Sequence, residues 1–200
     1  MAGVPFVGLT GGLGAGKSEA LRVLGELGAA TLSTDAVVHE LLTSDELREV
    51  VVARLGDEVA RDGVLDRSLI AERVFGDDEA RGWLESELWP RVGQRVADWR
   101  QEVEALDPPP PAAVVEVPLL FESGMEQVFD STIAVVADED IRAERAGSRG
   151  HASVEERAGR QLSQEEKTEK ADYTVRNDGS LDELRENLSR VLARLDAPVP

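Results

Sequence analysis

Two hundred residues with 42% hydrophobic content suffice for one substantial core, so a single domain carrying an inserted helical region is expected and two independent domains are not. A formal net charge of −18 repels phosphate backbones and anionic lipid, which disfavours nucleic acid and membrane surfaces as partners. With no cysteine, disulfides, thiolate metal sites and a cysteine nucleophile are excluded.

No apolar run approaches the roughly 18 to 20 residues that a bilayer span needs. The start Met1-Ala2-Gly3-Val4-Pro5 lacks the basic n-region of a signal peptide. A cytoplasmic protein is therefore expected, as a monomer or weak homo-oligomer. Residues 4–9 form a short apolar run ending in Thr10-Gly11-Gly12, and a helical pattern starts at Lys17 with Ala20, Leu21, Val23, Leu24 and Leu27 on one face. Gly28 closes that helix, and residues 30–33 read as a second strand with Asp35 at its carboxyl end. From 37 to 103 the periodicity is helical, with breaks expected at Gly56, Asp62-Gly63 and Pro90.

The proline run 108–111 stiffens the chain and returns it to a third strand at 112–117. A fourth strand is read at 131–137, an arginine-rich stretch at 138–160 and a fifth strand at 172–176. A last amphipathic helix spans 181–195, opened by Ser180 and Glu183 in capping-box spacing. Strands alternating with helices predict an α/β fold, a parallel five-stranded sheet flanked by helices.

Gly11-Gly12-Leu13-Gly14-Ala15-Gly16-Lys17-Ser18 satisfies G-x-x-x-x-G-K-[ST] and lies between a predicted strand and a predicted helix. Its glycines let successive N–H groups turn inward on a β-phosphate, and the helix N-terminus adds positive dipole. Lys17 is expected to bridge the β- and γ-phosphates of ATP, and Ser18 to hold Mg²⁺ through its hydroxyl. The candidate nucleotide contacts are Gly12, Gly14, Ala15, Gly16, Lys17, Ser18 and Glu19, the last expected at the helix surface or cap. Asp35 at a strand's carboxyl end has two readings: a base for an attacking hydroxyl, or simply the cap of the next helix.

The stretch from Gly8 to Ser18, with Asp35 beyond it, resembles the opening of the dephospho-coenzyme A kinase family. So do Asp62-Gly63-Val64-Leu65-Asp66-Arg67, residues 74–85, Val117-Pro118-Leu119-Leu120-Phe121-Glu122-Ser123-Gly124, residues 161–167, Ala171-Asp172 and Asn177-Asp178-Gly179-Ser180. The resemblance runs in order along nearly the whole chain. It implies a P-loop NTPase fold forming one kinase domain over 1–200. The core would be 1–34, 112–137 and 171–200, with a helical substrate-binding region at 35–107 and a lid at 138–165. It also implies transfer of the ATP γ-phosphoryl group to the ribose 3′-hydroxyl of dephospho-coenzyme A, the last step of coenzyme A synthesis.

By position, the resemblance makes Asp35 the base that orients or deprotonates the acceptor hydroxyl, with Pro118, Leu119, Phe121 and Glu122 lining the acceptor site. Of Arg142, Arg145 and Arg149 in the lid segment, Arg149 is the favoured catalytic one and Arg145 the second, with Arg157 a further lid candidate; a solvated helix face is the competing reading. Asn177 is read either near the adenine or as a turn residue. The chain departs from the family pattern at Ser33, His39, Trp89 and Glu116, where Glu116 keeps a carboxylate behind the metal's own ligands. Two other readings of the loop stay open: a P-loop kinase for another small hydroxyl acceptor, or a non-catalytic nucleotide-binding regulator.

Overall fold

The computed structural model describes residues 3–147 and 161–195. The chain divides into two compact units, one of residues 1–33 with 100–200 and the other of Thr34–Trp99.

The first unit is built on a parallel sheet of β1 (Phe6–Gly11), β2 (Ala30–Ser33), β5 (Ala113–Glu116), β6 (Ser131–Val136) and β7 (Tyr173–Arg176) in the order β2-β5-β1-β6-β7. Every residue of β1 is buried, as a central parallel strand covered on both faces must be. Its alternate residues Val7 and Leu9 join Val114, Ile133, Val135 and Val175 in one apolar layer. That layer packs on α1 (Lys17–Glu26), through Ala20, Val23 and Leu24, and on α8 (Leu181–Leu195), through Leu184, Leu188, Val191 and Leu192. The α8 spacing of i, i+4, i+7 and i+8 is one helical stripe, and full burial of each such leucine is worth about 2 kcal/mol. On the opposite face the Phe6 ring stacks on Phe129 at 4.7 Å, and the Arg100 guanidinium lies 4.6 Å over Phe6. Gly8 makes room there, because a Cβ would come 2.9 Å from Phe129 and 3.0 Å from Leu120.

Local chemistry sets the helix ends. Gly28, at φ 96°, lets Ala29 N–H reach Leu24 O at 3.1 Å and Gly28 N–H reach Gly25 O at 3.0 Å, the paired bonds that end a helix on a left-handed glycine. Ser180 and Glu183 form the expected capping box, with Ser180 N–H donating to Glu183 at 2.7 Å and Glu183 N–H to Ser180 Oγ at 3.3 Å. A second box, Ser163 with Glu166, opens α7 (Gln164–Lys170). There the Ser163 backbone N–H and its hydroxyl contact hold the Glu166 carboxyl below its usual range. Also described in this unit are α6 (Glu139–Gly147) and a short 3-10 turn at Met125–Val128.

The second unit contains α2 (Thr34–Leu41), α3 (Asp45–Leu55), a two-stranded ribbon of β3 (Ala60–Arg61) and β4 (Val64–Leu65), α4 (Arg67–Val74) and most of α5 (Asp78–Glu104). Its core gathers Leu42, Leu47, Val51, Leu55, Val59, Leu65, Ile70 and Ala80. The ribbon is a departure from the all-helical expectation. Asp62 and Gly63 both have positive φ, 50° and 79°, which is the two-residue hairpin turn that Asp-Gly favours. Pro90 likewise does not break α5. It costs one backbone bond, about 3 kcal/mol, but partly buried Trp83, Leu84 and Leu88 before it and buried Val92 and Val96 after it hold both halves helical.

Two other boundaries are corrected. β1 begins at Phe6 and continues to Gly11, because Thr10 and Gly11 still pair with Ala134 and Val135. β2 ends at Ser33, so Asp35 is the second residue of α2 rather than the end of a strand. The second unit runs from Thr34 to Trp99. No helix among the described residues is long and apolar enough to cross a membrane.

Candidate active site

The loop between β1 and α1 is shaped by two left-handed glycines, Gly14 at φ 75° and Gly16 at φ 91°. A Cβ on Gly14 would collide with the Arg142 carbonyl oxygen, and one on Gly16 with the Asn177 side-chain amide. Ala15 is fully buried between them, its N–H donating to Gly12 O at 3.2 Å. Lys17 Nζ donates to Gly11 O at 3.0 Å and Gly12 O at 3.1 Å, so the ammonium folds back along the inside of the loop. The Ser18 hydroxyl donates to Glu116 Oε1 at 3.4 Å. Glu116 is only 5% exposed and stands at the end of β5, in register with Leu9 of β1. These are hard oxygen donors beside a lysine, a set suited to a small divalent cation and phosphate oxygens. Among the described residues no group of three or more acidic or histidine side chains is arranged as a metal site.

Asn177 braces the loop from β7. Buried, it donates Nδ2 to Ala15 O at 2.9 Å while its N–H donates to Val136 O at 2.8 Å. Arg145 donates to Asn177 O at 3.1 Å, and Arg142 Nε donates to Leu13 O at 3.0 Å with its guanidinium against Gly12. Arg142, on α6, thus contacts the phosphate loop, a role for which the sequence reading singles out Arg149 and Arg145 instead. The available signal was its position one turn into the helix that follows the fourth strand. Arg149, Arg157 and His151 lie outside the described residues. Asp178 ties the ends of β6 and β7 by accepting from Asp138 N–H at 2.6 Å and Arg176 Nε at 2.7 Å. Burial pushes its carboxyl up, but those two donors and the nearby arginine charges outweigh that and hold it below the usual range. A cavity of about 720 Å³ opens beside Gly12 and Leu13, lined also by Asp138, Arg142, Gln164 and Thr168.

Glu19 does not turn its carboxylate toward the loop. It pairs with Arg22 at 2.6 Å on the exposed side of α1, and that hydrogen bond holds its carboxyl low. What Glu19 can offer a nucleotide is its place in the first helical turn. Of the residues expected on the acceptor side, Pro118, Leu119 and Glu122 are half-buried and Phe121 is buried, and Glu122 aims one oxygen at Lys167, at 2.9 Å. In the second unit Asp35 is 48% exposed, 3.7 Å from the equally exposed guanidinium of Arg67. It lies within α2 and does not cap it. His39 is exposed on the same helix, and Trp89 is 38% exposed on α5, which makes that tryptophan a surface residue.

The conformational demand at Gly16 gives a direct prediction. Gly16→Ala should cost about 2 kcal/mol from the left-handed backbone alone, or about 4 to 8 °C in melting temperature for a chain of this size. It should also weaken ATP at least about tenfold by displacing Asn177. Thermal scans and ATP titration check both. An unchanged melting temperature would show that the loop relaxes without cost.

A parallel sheet ordered about a central strand, with a glycine loop, Lys17 and Ser18 at that strand's end, defines a P-loop nucleotide-binding protein. The comparisons narrow the class. The model of the dephospho-CoA kinase family matches residues 5–183. The dephospho-CoA kinase of Protochlamydia amoebophila is 40% identical over 193 residues, covering 94% of this chain and 95% of that protein. That of Symbiobacterium thermophilum is 39% identical, over 90% of this chain and 77% of its own. Among solved structures, TT1252 from Thermus thermophilus superposes with a TM-score of 0.78 at 34% identity, covering 97% and 99% of the two chains. The dephospho-CoA kinase from Campylobacter jejuni shares the fold, with a TM-score of 0.66 at 23% identity over 97% and 98%. The chain belongs to the dephospho-CoA kinase family.

Proposed function

We propose that the chain transfers the γ-phosphoryl group of ATP to the ribose 3′-hydroxyl of dephospho-coenzyme A, releasing coenzyme A and ADP. The observation that carries this reading is the formed phosphate loop, with Lys17 inside it and Ser18 on Glu116, in a chain whose relatives are dephospho-CoA kinases. Loop N–H groups and the α1 dipole receive the β-phosphate, and Lys17 exchanges its two carbonyl partners for β- and γ-phosphate oxygens. Ser18, oriented by Glu116, would hold Mg²⁺, which when bound neutralises charge on the transferring phosphates. Arg142 and Arg145, already at the loop, stabilise negative charge on the nucleotide side, and Asp35 orients or deprotonates the acceptor hydroxyl. Pro118 and Leu119 are the half-buried residues of the acceptor loop that remain for substrate contact.

A coupled assay of ADP release tests the reading. Purified protein with ATP and Mg²⁺ should release ADP in proportion to added dephospho-coenzyme A, the product gaining one 3′-phosphate. Phosphorylation of a nucleoside with dephospho-coenzyme A left untouched would overturn the acceptor. Nucleotide binding with no transfer to any acceptor would overturn the enzyme.

A further inference from the structure

Lys167 has no solvent exposure, although the α7 residues on either side of it are almost all exposed. An ammonium offers three donors, and here three acceptors meet it: Glu122 Oε1 at 2.9 Å, Pro118 O at 3.0 Å and Thr10 Oγ1 at 3.4 Å. The Thr10 hydroxyl itself donates to Pro118 O at 3.3 Å. Glu122 Oε1 also accepts Leu162 N–H at 2.8 Å, while its Oε2 is buried with no hydrogen-bond partner. That carboxylate therefore depends on Lys167.

A buried ion pair is poor evidence of stability, since well-packed apolar residues of the same volume often do as well or better. What the pair supplies is location. Thr10 directly precedes Gly11, whose carbonyl holds Lys17, and Pro118 opens the loop assigned to the acceptor. We infer that Lys167 is a positioning residue for phosphoryl transfer, fixing the acceptor loop 118–122 against the strand that carries the phosphate loop. This rests on the proposed acceptor reading. The two sides of the joint differ in what else holds them. β1 is bonded along its length to β5 and β6, whereas residues 118–122 lie outside the sheet. Loss of Lys167 should therefore displace the acceptor side and spare the nucleotide side.

The test compares wild type, Glu122→Gln and the charge-balanced pair Lys167→Met with Glu122→Gln. In the double variant, KM for dephospho-coenzyme A should rise about tenfold. KM for ATP should stay within about twofold, and Glu122→Gln alone, which keeps an acceptor for Lys167, should raise the acceptor KM less than about threefold. Hydrogen exchange gives a second readout: the amides of Ser123 and Met125, bonded to Leu119 O and Leu120 O, should exchange at least about tenfold faster, with β6 amides unchanged. A folded double variant with wild-type acceptor KM, with both KM values raised alike, with Glu122→Gln alone as impaired, or with unchanged exchange at 123 and 125 overturns the inference. If the double variant does not fold, Lys167→Arg takes its place and should show the same split at about threefold. Unfolding of both, or no split, overturns it. If wild type leaves dephospho-coenzyme A untouched, the acceptor reading falls, and the exchange data alone decide the role of Lys167.

Discussion

Asp35→Asn should lower turnover with dephospho-coenzyme A by about a hundred- to ten-thousandfold, the range that loss of a positioned general base covers. The substitution keeps size and removes the ability to accept a proton. Asp35 is half exposed and its ion pair with Arg67 is long, 3.7 Å, so the fold should lose almost nothing. The nucleotide loop belongs to the other unit, and ATP affinity should be unchanged. If transfer is so loose that the acceptor oxygen needs orientation rather than deprotonation, the loss falls to about tenfold, since an amide oxygen can still accept a hydrogen bond. Measuring kcat beside ATP affinity separates these outcomes, and unchanged turnover removes Asp35 from the mechanism.

Lys17→Ala should damage both quantities. The ammonium bonds the carbonyls of Gly11 and Gly12 and is the cation closest in sequence to the phosphate cradle. Its removal should cost about a thousandfold in kcat, as for other charge-stabilising donors in enclosed sites, and about tenfold or more in ATP affinity. Lys17→Arg should not restore the rate. A planar, longer guanidinium cannot occupy the position of a point charge facing two carbonyls inside a tight loop. Single-turnover kinetics with ATP titration would show the result, and a rate within about tenfold of wild type would place the principal charge compensation elsewhere, on Arg142 or Arg145.

Legibility from the sequence followed the range of the interactions. The strand 30–33, the helix 181–195 and its capping box are local, and the structure places them as read. The glycine loop was legible for the same reason, since its φ values and its lysine lie within eight residues of one another. Pro90 reads as a break because its cost is local, whereas its compensation is burial of side chains within about two turns on either side. Asp35 shifted from strand end to helix because β2 stops as soon as its pairing with Glu116 ends at Ser33. Arg142 and Lys167 reach partners 129 and 157 residues away, distances over which composition and period carry no signal. The acceptor's identity came from resemblance along the whole chain, because a phosphate loop by itself specifies a nucleotide and nothing more.

The second unit is a single unbroken stretch, leaving the sheet after Ser33 and rejoining the first unit at Arg100. Two peptide junctions are all that join it covalently, and no ladder of the five-stranded sheet passes through it. A change of length or sequence within 34–99 therefore interrupts no strand pairing of the five-stranded sheet.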